Sequence, residues 1–308
     1  MFIMPIQKVS IIGLGALGIL IGNHLAKGMP KEDLRIVADR DRTNRYQQEG
    51  VYCNGQRCEF HYVSPDEVVE AADLLIFTVK YGGLNDAIQA VRNHVGDNTV
   101  IISAINGISS EEIIGQAYGM DKMLYSTAQG MDAVKVGNRL TYAHMGTLCF
   151  GDREPGSISS KTKQLARFFE RVEFPYEVAT DMQKRLWGKF MLNVGVNQTV
   201  AVYEGNYGTV QREGEARNTM IAAMREVIAL AEKEGILLTE EDLNYWLSIL
   251  GTLSPEGKPS MRQDMEARRY SEVELFSGTV LALARKHHLP TPVNQKLYDR
   301  ITAIERQY

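Results

Sequence analysis

Apolar positions fall in two rhythms along the first half of the chain. Short apolar runs at 8–12, 34–38, 74–79, 99–104 and 122–127 have the length of buried strands, and amphipathic stretches of helical length lie between them at 16–27, 42–49, 81–93 and 110–119. Strands and helices in alternation predict a parallel sheet wrapped by helices. Residues 65–71 predict a turn or short helix with Ser64 as its cap, 141–150 one or two further strands, 158–171 an amphipathic helix and 176–178 a short strand.

After Thr180 the rhythm changes. Residues 181–202, 218–234, 240–250, 261–287 and 292–306 carry a 3.6-residue period with almost no β-branched alternation, which predicts an all-helical second half. Pro175 and the change of period place the boundary within 174–180, so the expected domains are 1–178 and 179–308. Two prolines and two glycines in 251–259 predict a loop between helices of the second domain.

Composition narrows the class. At 308 residues there is chain enough for two domains, each with its own core. Charged residues at 23% beside 44% hydrophobic ones exclude a disordered or fibrous protein. The 34 basic against 38 acidic side chains leave a formal charge of -4, so no global positive field draws in nucleic acid or anionic lipid. No apolar stretch reaches the ~20 residues that cross a bilayer. The early apolar run at 9–20 is cut by three glycines with no cleavage pattern after it, which does not fit a signal peptide. Cys53, Cys58 and Cys149 are odd in number and do not suggest a disulfide framework, so a reducing, cytoplasmic setting is expected.

The run Gly13-Leu14-Gly15-Ala16-Leu17-Gly18 stands between a predicted strand and a predicted helix. Glycines there permit a tight turn, close approach of a pyrophosphate to the backbone, and close helix–strand packing. The implied fold is α/β, an N-terminal Rossmann-type dinucleotide-binding domain followed by an all-helical domain. Asp39, at the end of the second strand, has the placement of an acid that bonds an adenosine ribose, which favours NAD; Arg40 and Arg42 beside it suit a 2′-phosphate. The two signals conflict, and a helix-capping Asp with two solvated arginines explains the residues as well. Lys80 and Asn106 close the third and fourth core strands, where ligands of open parallel sheets bind, although turn chemistry also places Lys and Asn-Gly at strand ends.

In the second half, Lys189, Asn193 and Asn197 fall at i, i+4 and i+8 of a helix whose neighbours Phe190, Met191, Leu192, Val194 and Val196 are apolar. A helix apolar nearly all round is buried, so a polar stripe on it needs a ligand or an interhelical hydrogen-bond network. Ser260 and Gln263 have the spacing of a capping box, and that helix start can also bind an anion. Asp264, Arg268 and Glu272 are spaced as one charged stripe, for which surface ion pairing is the default. No metal-ligand spacing is present.

These residues together resemble the ketopantoate reductases, the 2-dehydropantoate 2-reductase family. The likeness covers nearly the whole chain: G-L-G-A-L-G, T-V-K and I-N-G at strand ends, W-x-K-x-x-x-N-x-x-x-N opening the second domain, then P-S-M-x-Q-D and S-E-V-E. The resemblance implies that Lys189 protonates the reduced carbonyl, that Asn193 and Asn197 position substrate and lysine, and that Ser260 binds the substrate carboxylate. It also implies that Glu272 contacts the substrate hydroxyl and that Asn106 faces the reaction centre. Its partner is a small 2-oxo acid, its cofactor NADPH, and its oligomeric state is open, a homodimer included. Many members hold the 2′-phosphate with an arginine at the end of the second strand; here that place is Asp39, with Arg40 one step later, so NAD stays open. Gly188 and Gly195 lower helix propensity by about 1 kcal/mol each relative to Ala, and close packing against the cofactor domain is expected to explain them. Two rival functions share the fold: a reductase of another small 2-oxo or 3-hydroxy acid, and a nicotinamide-sensing protein without turnover.

Overall fold

The computed structural model describes residues 5–308, which divide into two compact units, one ending at Met182 and the other Gln183–Tyr308. The first is built on five parallel strands: β1 (Val9–Ile12), β2 (Leu34–Val37), β5 (His61–Val63), β6 (Leu74–Phe77) and β7 (Val100–Ser103), in the order β5-β2-β1-β6-β7. Numbered by their entry into the sheet this is 3-2-1-4-5, the doubly wound order whose switch point lies between the first and fourth strands, here β1 and β6.

Both faces of this sheet are covered, which is why β1, β2, β6 and β7 are buried along their whole length and mostly apolar without alternation. Val9, Ile11, Ile36, Ile76 and Ile102 join one core cluster with Ile19, Leu20 and Leu25 of α1 (Ala16–Gly28). Ile12, Val37, Leu75, Phe77 and Ile101 join the other with Leu84, Ala87 and Ile88 of α3 (Leu84–Ala90) and Ile114 of α4 (Ser110–Tyr118). Beside the central sheet lie a four-stranded sheet of β3 (Tyr52–Cys53), β4 (Gln56–Arg57), β9 (Val134–Val136) and β10 (Arg139–Thr141), and a three-stranded one of β8 (Tyr125–Gln129), β11 (Thr147–Gly151) and β12 (Tyr176–Val178). The helices α2 (Arg40–Glu49) and α5 (Ser160–Arg171) complete the unit.

Two expectations for this half are corrected and one is met in its simpler form. The run 122–127 is not a strand of the central sheet: β8 pairs antiparallel with β11, and only the bridge Ile101↔Met123 reaches β7. The fifth central strand is β5, an edge strand of three residues with His61 and Tyr62 half-buried, too short and too polar to register as an apolar run. The stretch 81–93 is α3 flanked by 3-10 turns at Tyr81–Gly83 and Arg92–His94, because Gly82 and Gly83 weaken its start. Residues 65–71 open with the expected turn, at Pro65–Asp66, and form no helix: the Glu67 amide bonds to Ser64 O at 3.0 Å and the Glu67 carboxylate accepts from the Ser64 backbone amide at 2.7 Å.

The second unit is helical: α6 (Met182–Val202), α7 (Tyr207–Gln211), α8 (Glu215–Lys233), α9 (Glu240–Gly251), α10 (Ser260–Glu266), α11 (Thr279–His287) and α12 (Pro292–Glu305). No helix among the described residues is long and apolar enough to cross a membrane. The glycines of α6 are spacers within this unit. A Cβ on Gly188 would run into the Trp246 indole of α9, and one on Gly195 would lie 2.5 Å from Met224 Cγ and 3.0 Å from the Met220 carbonyl oxygen of α8. Packing against α9 and α8 within the unit accounts for them.

The expected single helix 261–287 is broken. After α10, Arg268 adopts φ +49°, its amide bonds to Met265 O at 3.0 Å, and the Arg269 amide bonds to Asp264 O at 2.9 Å. That is a Schellman stop with arginine where glycine is usual, so the sequence carries no stop signal. Asp264, Arg268 and Glu272 therefore do not share a helix face, and the Asp264 carboxylate accepts instead from Arg269 Nε at 2.9 Å. Nor does the capping box form: Pro259 is the N-cap, Ser260 is the first helical residue, and Gln263 Nε2 donates to Lys258 O.

Candidate functional site

In the first unit the candidate residues gather at the carboxyl ends of β1, β6 and β7, held level by the register Ile12↔Phe77 and Phe77↔Ser103. The glycine turn leaves β1 through Gly13 at φ +100°, a conformation that favours glycine. A Cβ on Gly13 would lie 2.8 Å from Val79 Cγ1, and one on Gly18 2.7 Å from Thr78 Oγ1 and against the Gly13 carbonyl oxygen. Gly15 is the N-cap of α1 and supplies no side chain to its first amides, those of Ala16, Leu17 and Gly18, while Leu14 is buried beneath the turn. A backbone cradle that side chains would fill, ending at an uncapped helix start, fits a pyrophosphate.

Asp39 and Arg40 stand at the carboxyl end of β2, and both are exposed. Asp39 caps α2: its Oδ1 accepts from the Arg42 amide at 2.7 Å, and its Oδ2 lies 3.4 Å from Arg42 Nε. Arg40 is the first residue of α2. Lys80 is exposed just past β6, at the N-cap of the 3-10 turn Tyr81–Gly83. Asn106 is half-buried after β7, and Gly107 at φ +96° turns the chain behind it.

Two features here were not legible beforehand. Thr78, buried at the end of β6, bonds to the glycine turn. A buried relay also sits beneath Asn106: the Ile105 amide donates to Ser103 Oγ at 3.3 Å, Ser103 Oγ lies 2.8 Å from Ser110 Oγ, and Ser110 Oγ donates to Glu111 Oε2 at 2.9 Å. Glu111 is 1% exposed, and burial raises its pKa to about 7. An acid in the first turn of a helix reads as a surface residue in sequence, so Glu111 gave no signal.

In the second unit Lys189 and Asn193 are half-buried and Asn197 is buried on α6, among the buried side chains of Phe190, Met191, Val194 and Val196. The cation and two amides thus share one face of α6 beside these packed apolar side chains, with Leu192 half-buried. Ser260 is exposed at the start of α10, and Glu272 is half-buried just ahead of an irregular turn that leads into α11.

A Rossmann-type α/β unit joined in one chain to a helical unit with a lysine–amide face is a defined class of architecture. Residues 9–155 match the family described as Ketopantoate reductase PanE/ApbA, and 181–305 match its C-terminal part. The chain belongs to the ketopantoate reductase family, a family of NAD(P)H-dependent oxidoreductases. It is 25% identical over 311 residues to a 2-dehydropantoate 2-reductase of Aquifex aeolicus (strain VF5), covering 97% of each chain. Among solved structures it is similar to a PanE/ApbA family ketopantoate reductase from Ralstonia eutropha JMP134, with TM-score 0.84 and 22% identity over 97% of this chain and 99% of that one. It is also similar to D-mandelate dehydrogenase with NADH and anilino(oxo)acetate, with TM-score 0.87 and 20% identity over 97% and 99%.

Proposed function

We propose that this chain reduces the C2 ketone of 2-dehydropantoate to (R)-pantoate with NADPH, the reduction that feeds pantothenate and coenzyme A synthesis. The observation that carries the reading is the face of α6 where Lys189, Asn193 and Asn197 interrupt a packed helix. Bound nicotinamide supplies the hydride. The backbone of Gly13 to Gly18 and the first amides of α1 hold the pyrophosphate, Arg40 meets the 2′-phosphate beside Asp39, and Lys80 and Asn106 border the nicotinamide end. Lys189 directs its ammonium at the ketone oxygen and gives it a proton as negative charge develops there. A cation so placed stabilises the transition state more than the ground state. Asn193 and Asn197 orient the ketone and the lysine, Ser260 binds the substrate carboxylate, and Glu272 accepts a hydrogen bond from the substrate hydroxyl.

Steady-state kinetics with 2-dehydropantoate and with 3-methyl-2-oxobutanoate, which lacks the hydroxymethyl group, test the substrate, each with NADPH and NADH. A charged acceptor for the hydroxyl predicts a kcat/KM about tenfold to a hundredfold higher for 2-dehydropantoate. Equal values would make the chain a reductase of other small 2-oxo acids. Tight NADPH binding without turnover of any 2-oxo acid would make it a nicotinamide-sensing protein.

A further inference from the structure

The segment that carries Glu272 leads into a π-turn, Glu274–Gly278, in which the Gly278 amide donates to Val273 O at 3.0 Å, five residues back. A π-turn inserts one residue into a helix, and such turns are rare and gather at functional sites. One amide of this turn is taken from outside the helix: Ser277 N–H donates to Gln198 Oε1 at 3.1 Å, with both residues fully buried. Gln198 belongs to α6 and follows Asn197 directly. Its Nε2 donates to Val194 O at 2.8 Å and to Asn294 Oδ1, on α12, at 3.3 Å. Asn294 is also buried. It accepts from Ser277 Oγ at 3.3 Å and donates through Nδ2 to Glu226 Oε2 on α8 at 2.7 Å. The network is closed, so each buried polar group holds the next in one arrangement.

We propose that Gln198 is a positioning residue: its side-chain amide pins the π-turn after Glu272 to the helix that carries Lys189, and so sets where the Glu272 carboxylate stands relative to the Lys189 ammonium. The proposal rests on the reading of Lys189 and Glu272 as site residues. Val280, Leu281 and Ala284 anchor α11 in the core, and Val273, Leu275 and Phe276 are buried in and before the turn, so a change in the register of the turn must displace packed side chains on one side or the other, the segment that carries Glu272 among them. Losing the inserted residue rotates the preceding segment by one helical position, about 100°. An acceptor aimed at Ser277 N–H opposes that, because relaxation would take from Gln198 Oε1 and the Ser277 amide the bond they make to each other in the interior.

The test is Gln198→Met, close in shape and without the acceptor, placed in the full chain with Glu272 intact and with Glu272→Gln. Expected is a fall in kcat/KM for 2-dehydropantoate of about tenfold to a hundredfold when Glu272 is intact. With Glu272→Gln the same substitution lowers kcat/KM by less than about twofold, since residues acting through one group are not additive. Amide exchange of peptides over 273–278 speeds up while NADPH affinity is unchanged. Equal losses in both backgrounds, or unchanged exchange, would overturn the proposal. Wild-type kinetics for Glu272→Gln alone would instead overturn the site reading beneath it. If Gln198→Met does not fold, Ser277→Ala, which removes the hydroxyl tie to Asn294, is expected to show the same pattern with a smaller fall, and equal losses in both backgrounds overturn the proposal there too.

Discussion

Thr78 Oγ1 lies 2.6 Å from the carbonyl oxygen of Gly13 and 3.0 Å from that of Ile12, so a hydroxyl at the end of β6 donates into the glycine turn that leaves β1. These two strands flank the switch point of the sheet, and the bond fixes the turn across it. Thr78→Val keeps the shape and removes the donor. One hydrogen bond is worth about 0.5–1.5 kcal/mol net, so the Kd for NADPH should rise roughly threefold to tenfold, with Thr78→Ser close to wild type. A cofactor titration giving the wild-type Kd for Thr78→Val would remove the hydroxyl from cofactor binding.

Asp39 and Arg40 make opposite demands on the cofactor. Because the Asp39 carboxylate caps α2, alanine there would lose the cap as well as the charge, so Asp39→Asn is the cleaner change. It relieves repulsion of the 2′-phosphate and should raise the ratio of kcat/KM for NADPH over NADH by about tenfold, whereas Arg40→Ala should lower it by a similar factor. Parallel kinetics with the two cofactors decide, and an unchanged ratio in both variants would mean that neither residue reads the adenosine ribose.

Glu111 makes stability depend on pH in an unusual direction. Burial raises its pKa in the fold to about 7 from 4.5, so between these values the folded chain keeps a proton that the unfolded chain has lost. Its contribution is full below pH 4.5, falls as pH rises, and levels off above about 7, a change on the order of 3 kcal/mol. His94, fully buried and lowered to about 4, slopes the other way as pH falls from 6.5, so the wild-type curve mixes the two. The difference between Glu111→Gln and wild type isolates Glu111. Denaturant unfolding should show the variant gaining stability relative to wild type from pH 5 to pH 8, and a constant difference would show that Glu111 does not titrate there.

The legible parts of this fold are those where a local pattern and the tertiary environment agree. β1, β2, β6 and β7 are apolar because they are covered on both faces, and the glycine turn declares itself because only glycine fits beside Val79 and Thr78. The lysine–amide stripe was readable because its neighbours are apolar all round the helix. What stayed hidden depends on partners far along the chain. β5 exists as a strand by pairing with β2, and α10 ends on an arginine in the left-handed region where a glycine would have announced the stop. The tie between Gln198 and Ser277 spans 79 positions, so nothing local marks it.

The central claim is that Lys189 protonates the ketone, and the steady-state kcat of Lys189→Ala tests it most directly. With 2-dehydropantoate and NADPH saturating, and with folding and NADPH affinity shown to match wild type, kcat should fall by roughly 10²–10⁴. A Lys189→Ala variant that turns over at the wild-type rate would contradict the account.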